Sequence, residues 1–285
     1  MTVSEGELKA RKPLLVCLGF GAVAQCLAAR LEGWRVVGTH RAAVAAPDRL
    51  AFDGAASPAL RDAIADADAV LCSIPPDDDG CSAFRALEET LRAAPPAWCG
   101  YLSTTGVYGD HAGRWVFEWT PPRPQSIEAQ RRRRAETQWL SLPRPGHVFR
   151  LPGLYGPGRS ALDRVRAGDA RRMVKPGHVF SRAHIDDVAA ALACSIARPN
   201  PGRLYNIADD EPAPSADVTA HAAQLLGIDA GPEEMFDAAT LSPMAQRFWA
   251  ESRRVANARA KSELGWRPAY PTYREGLAAI LAQGG

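Results

Sequence analysis

The chain has 285 residues, 46% hydrophobic and 23% charged, enough for one large core or a core with a smaller lobe. A formal net charge of +2 excludes an overall basic field for nucleic acid, and no apolar run approaches the roughly 20 residues of a membrane span. The six cysteines are scattered without Cys-x-x-Cys spacing and no leader pattern opens the chain, so free thiols in a reducing cytoplasm are expected.

Residues 1–12 are polar and read as an N-terminal tail. Residues 13–41, "PLLVCLGFGAVAQCLAARLEGWRVVGTHR", form a β-α-β phrase. "LLVCL" is continuously apolar, as a parallel strand buried on both faces requires. A glycine-rich turn follows, then an alanine-rich helix that stops at Gly33, then the strand "RVVGT". Ser57-Pro58 opens a helix to about Ala65, with serine as cap and proline in the first turn. Next come the strand "DAVLCSI" (68–74), a helix over 81–94, the strand "AWCGYLST" (97–104), a helix over about 126–142 and the strand "HVFRL" (147–151). Alternating strands and helices predict an α/β Rossmann fold, a doubly wound parallel sheet, over residues 13–155.

Beyond "PGLYGPG" the pattern changes. Residues 171–185 suggest two short strands around a Pro-Gly turn. Helices follow over 186–197 and, with Ser215 as its expected cap, 215–227; "RLYNIA" (203–208) is a strand between them. Residues 156–285 therefore read as a smaller substrate lobe interleaved with late sheet elements.

"GFGAVA" (19–24) has the form G-x-G-x-x-A between the first strand and helix. Gly19 permits the tight turn, Gly21 lets the backbone approach a pyrophosphate, and Ala24 packs helix on strand. With Phe20, Ala22 and Val23 the turn presents backbone N–H groups at a helix start, a ready phosphate site. The end of the second strand selects the cofactor. NAD sites place an acid there; this chain has "THRAAV" (39–44) instead, where Arg41 can grip a 2′-phosphate and Thr39 and His40 can assist. NADP is expected, with NAD the lesser candidate.

Later segments carry a resemblance. "LSTTGVYGD" (102–110), "RLPGLYGPG" (150–158), "FSRAHIDDVAAAL" (180–192) and "YNIADDEP" (205–212) follow the glycine turn in order. Together they make the chain resemble the extended and atypical short-chain dehydrogenase/reductases, the NAD(P)-dependent epimerase/dehydratase group, over nearly its whole length. The resemblance implies that Thr104 is the catalytic hydroxyl, four residues before Tyr108. It implies that Ser73, Ile74 and Pro75 pack on the adenosine side, and that Leu151, Pro152 and Gly153 border the nicotinamide.

The departure lies in "EAQRRRRAE" (128–136). The family's Tyr-x-x-x-Lys is replaced, with Glu128 in the tyrosine position and Arg132 in the lysine position. Arg132 is expected at the nicotinamide ribose, and Arg131, Arg133 and Arg134 on solvated or flanking faces. The proton-donating phenol is missing. Tyr108, Tyr155, Glu128 and His184 are the available substitutes, Glu128 only if apolar surroundings keep it protonated. Neither metal-ligand spacing nor a nucleophile elbow is present.

Two functions fit: an NADP(H)-dependent oxidoreductase or epimerase/dehydratase-like enzyme for a small carbonyl or sugar-derived substrate, or a non-catalytic NAD(P)-binding sensor. The protein is expected to be a monomer or homodimer, without nucleic-acid or membrane partners.

Overall fold

The computed structural model describes residues 11–42, 46 and 48–284, so most of the expected tail lies outside the described residues. Seven strands make one sheet: β1 (Leu14–Leu18), β2 (Arg35–His40), β3 (Arg49–Ala51), β4 (Ala69–Cys72), β5 (Trp98–Thr104), β6 (His147–Leu151) and β7 (Leu204–Asn206). Their spatial order is β7-β6-β5-β4-β1-β2-β3 and every pairing is parallel. The order reverses between β1 and β4, where a doubly wound sheet opens its ligand crevice.

The apolar runs are continuous because both faces of the sheet are covered. Leu15 and Cys17 of β1 face one hydrophobic cluster with Leu27, Val188 and Leu192. Leu14, Val16 and Leu18 face the other with Leu60, Phe84 and Trp139. On the first face the layer is α1 (Ala22–Arg30) with the later helix that carries Val188 and Leu192, and on the other it is α2 (Pro58–Ala65), α3 (Ser82–Ala93) and α4 (Ile127–Leu140). Ser57 caps α2, its Oγ accepting from the Leu60 N–H, with Pro58 in the first turn. The cysteines are free thiols, with the Sγ atoms of Cys72 and Cys81 3.6 Å apart.

The second half of the chain completes the first. After α5 (Ala161–Arg166), helix α6 (Ile185–Ala197) packs on α1, and β7 joins the sheet edge beside β6. Helices α7 (Ser215–Leu226), α8 (Pro243–Ala250), α9 (Ala258–Leu264) and α10 (Tyr273–Ala282) follow. A separate cluster of Tyr155, Leu162, Val218, Ala222, Leu277 and Ile280 ties α5, α7 and α10 into the lobe.

One local expectation needs correction. The cap of α7 is Pro214, with no side-chain hydrogen bond, so Ser215 is the first helical residue. The two short strands expected around the Pro-Gly turn are present, and each pairs with a distant segment. Arg172–Val174 pairs in parallel with Glu233–Met235, and Arg182–His184 with Gly153–Tyr155. Among the described residues no helix is long and apolar enough to cross a membrane.

Candidate cofactor and substrate site

The glycine turn lies at the crevice. Gly19 adopts φ +87°, and a Cβ there would stand 2.7 Å from the Ser73 Oγ. That hydroxyl donates to the Gly19 carbonyl at 3.0 Å, pinning the turn to the end of β4. Gly21 caps α1 with an extended backbone, no side-chain hydrogen bond, and nothing within 4 Å of where its Cβ would be. The first-turn N–H groups of α1, including those of Ala22 and Val23, have no intrahelical acceptor by geometry, and the space before them is open. That cradle fits a dinucleotide pyrophosphate. Ile74 packs against Gly19, and Pro75 is exposed just beyond.

At the end of β2 the roles differ from expectation. Thr39 is buried, and its Oγ1 accepts the Gly19 N–H at 2.8 Å, so it braces the turn. Phe20 lies flat over Gly38, where a Cβ would meet its ring at 2.6 Å, and the His40 ring meets it edge-on. His40 Nε2 is buried without a partner among the described residues. Arg41 is exposed. Sequence reasoning missed Arg49, whose guanidinium lies 4.1 Å over the Phe20 ring and is also bonded to Asp48. The signal was a charge opening the next apolar run, "RLAF". Arg41 and Arg49 thus flank the end of β2, where a 2′-phosphate would be met by cations and by no acid of β2.

The arginine run separates its four side chains. Arg132 turns toward the sheet and donates to the Leu102 carbonyl at 2.7 Å and the Tyr101 hydroxyl at 3.2 Å. Its neighbours lie on the flanking and solvated faces, and each is engaged there. Arg131 pairs with the Asp78 carboxylate at 2.8 Å, Arg134 donates to the Asp78 carbonyl, and Arg133 reaches Glu136 at 3.3 Å. The cause is the loop before α3, which crosses the solvent side of α4 and offers acceptors there.

Glu136 is fully buried. Its carboxylate takes two bonds from Arg150, at 2.9 and 2.8 Å, and one from Ser103 at 2.7 Å. Arg150 lies 4.8 Å from the Tyr108 ring centre, and Tyr108 donates to Asn206 Oδ1 at 2.7 Å. Burial raises the Tyr108 phenol above its usual range. Tyr108 is thus held in a buried hydrogen-bonded network and does not line the cavity described below.

A cavity of about 930 Å³ opens between the ends of β5 and β6 and the lobe. Thr104, Glu128, Pro152, Gly153 and Tyr155 line it. Leu151 is buried at the end of β6, one residue behind that wall. Thr104 Oγ1 accepts the Gly106 N–H at 3.1 Å, which leaves its own proton free to donate. Glu128 is not in apolar surroundings: its side chain is 58% exposed and faces Arg247 at 3.6 Å. Burial pushes the Tyr155 phenol far above the usual range, a poor acid. His184 caps α6, accepting the Asp186 N–H at 3.2 Å, and does not line the cavity. Among the described residues no three His, Cys, Asp or Glu side chains cluster as metal ligands would.

Comparison with solved structures places this arrangement. A conserved protein of unknown function from Silicibacter pomeroyi is 43% identical, with a TM-score of 0.86 over 95% of this chain and 99% of that one. A protein assigned as an NAD-dependent epimerase/dehydratase from Methylobacillus flagellatus is 25% identical, with a TM-score of 0.73 over 96% and 98%. The chain is thus similar to epimerase/dehydratase-like proteins and shares the NAD(P)-binding fold of the short-chain dehydrogenase/reductases.

A human epimerase family protein solved with NADPH shares the fold at 18% identity, with a TM-score of 0.76 over 95% and 99%. Among curated proteins, a "3-diazoavenalumate denitrifying reductase" from Streptomyces is 36% identical over 142 residues, 46% of each chain. The match thus spans about half of that relative. No family model matches the chain.

Proposed function

We propose that the protein is an NADPH-dependent reductase that passes hydride to a small electrophile requiring no proton from a protein phenol. The observation that carries this reading is the open cavity beside Thr104, with the exposed carboxylate of Glu128 where the superfamily has its tyrosine.

A reduced nicotinamide, when bound, supplies the hydride. In this proposal the Gly19 turn and the first turn of α1 hold the pyrophosphate, with Ser73 and Thr39 fixing the turn. Arg41 and Arg49 meet the 2′-phosphate, and Arg132 the nicotinamide ribose. Thr104 donates a hydrogen bond to the reacting group of the substrate, with Pro152 and Gly153 forming the floor.

Proton balance limits the substrate. Reducing a ketone leaves an alkoxide that must be protonated, and the two phenols of the wall, Tyr155 and Tyr273, are both buried and raised above their usual range, which makes them poor proton donors. A diazonium group is already cationic: R–N₂⁺ and hydride give R–H and N₂, with no proton entering. The name of the Streptomyces relative supports a substrate of this kind.

The test is NADPH consumption, followed spectrophotometrically against protein-free controls, with an arenediazonium salt and with acetophenone. The reading predicts turnover of the diazonium salt alone. Comparable reduction of the ketone would contradict it, and NADPH binding without consumption by any electrophile would return the chain to the sensor reading.

A further inference from the structure

The cavity wall carries two features that the hydride chemistry leaves unused. The first is aromatic. Phe180 and Phe248 line the cavity and stack with ring centres 4.4 Å apart and an interplanar angle of 10°. Trp249 meets Phe180 edge-on at 5.1 Å and fixes its orientation. Phe248 is nevertheless 57% exposed, on the short helix α8. An exposed phenylalanine held flat by its neighbour presents a free face to the cavity. A planar ligand would cover that face and gain both burial and stacking.

The second feature is charge. The same wall carries guanidinium groups from Arg159, Arg164, Arg182, Arg247 and Arg253. Most of the acids beside them are committed: Glu251 to Arg253 at 2.7 Å, Asp163 to the capping box of α5, and Glu128 to Arg247. Asp169 alone among the wall acids has no side-chain partner in the described residues. Against it, the side chains of Arg159 and Arg164 make no hydrogen bond or ion pair among the described residues. Arg182 commits one nitrogen, to the Phe180 and Ala213 carbonyls. Uncommitted guanidinium groups on a cavity wall match a planar oxyanion bidentately.

We infer that the cavity takes an aromatic carboxylate, its ring laid on Phe248 and its carboxylate held by Arg159 and Arg164. This rests on the reading of the cavity as the substrate side of a reductase. It narrows that reading to a flat aromatic molecule that bears one carboxylate.

The experiment is calorimetric titration of the NADPH-saturated protein with cinnamate, cinnamyl alcohol, hexanoate and UDP-glucose. Cinnamate is expected to bind, with the alcohol and hexanoate each weaker by about tenfold or more, the loss of one charge-assisted contact or of the ring. Replacing both arginines (Arg159→Ala with Arg164→Ala) should weaken cinnamate about ten- to hundredfold and leave the alcohol unchanged. Phe248→Ala should weaken cinnamate and the alcohol alike and spare hexanoate. Circular dichroism and the NADPH titration itself report whether each variant is folded. Equal binding of acid and alcohol, no binding of cinnamate, or tighter binding of UDP-glucose overturns the inference. Failure to bind NADPH in the preceding titration would overturn the reductase reading instead, so the two failures are distinct.

Discussion

Arg132 on α4 donates to the Leu102 carbonyl on β5 at 2.7 Å, tying the arginine run to the sheet two residues before Thr104. Successive helical side chains point about 100° apart, so one arginine of four can make this contact. Arg132→Ala should weaken NADPH binding by roughly 1–3 kcal/mol, the cost of an unmade charged hydrogen bond. Arg131→Ala and Arg134→Ala release Asp78 and should each change it by less than about 1 kcal/mol. Titration of the single variants checks the ranking; an equal response from all would refute the assignment of Arg132.

The two glycines of the turn should fail differently. Gly19→Ala forces a side chain into left-handed backbone and against Ser73, so thermal unfolding should show a loss of roughly 1–3 kcal/mol. Gly21→Val has room to fold but fills the pyrophosphate space. It should melt like wild type and bind no NADPH. Wild-type affinity in a folded Gly21→Val protein would place the phosphates elsewhere.

Tyr108 and Arg150 belong to stability. Tyr108→Phe loses one buried hydrogen bond to Asn206 and should cost about 1 kcal/mol while turnover persists. Arg150→Met strands the fully buried Glu136 carboxylate, and a loss of roughly 3–5 kcal/mol is expected in denaturant unfolding. A Tyr108→Phe protein of full stability and no activity would restore Tyr108 as the acid.

Asp209 is buried with neither carboxylate oxygen bonded among the described residues, and burial raises its pKa from 3.8 to about 8. Between about pH 4 and 8 the unfolded chain has lost this proton and the folded chain keeps it. Stability contributed by this group therefore falls as pH rises through that window, by up to about 1.4 kcal/mol per unit. Asp209→Asn should flatten the slope and gain stability at the alkaline end. Identical slopes for the two proteins would show that Asp209 is solvated.

The sheet was readable in the sequence because both its faces are buried: "LLVCL" and "HVFRL" are strands from end to end, with no polar alternation to blur them. The glycine turn was readable because its spacing encodes backbone geometry. The Glu136–Arg150 bond was not, since it joins a helix to a strand 14 residues on by packing alone. Nor was the parallel pairing of 172–174 with 233–235, because a Pro-Gly turn advertises a local hairpin and nothing local advertises a distant partner. Glu128 could be placed in register but not in environment; its exposure depends on the lobe packed above it. Arg49 lay outside the motif window and was brought to Phe20 by the short strand β3.

The central claim is that this cradle binds NADPH in preference to NADH, and calorimetric titration of the wild-type protein and Arg41→Ala with both cofactors tests it most directly. The account predicts tighter NADPH binding by the wild type, and a roughly ten- to hundredfold loss in Arg41→Ala that spares NADH, from one charge-assisted contact of about 1.5–3 kcal/mol. Equal wild-type affinities for the two cofactors, or tighter NADH, would contradict it.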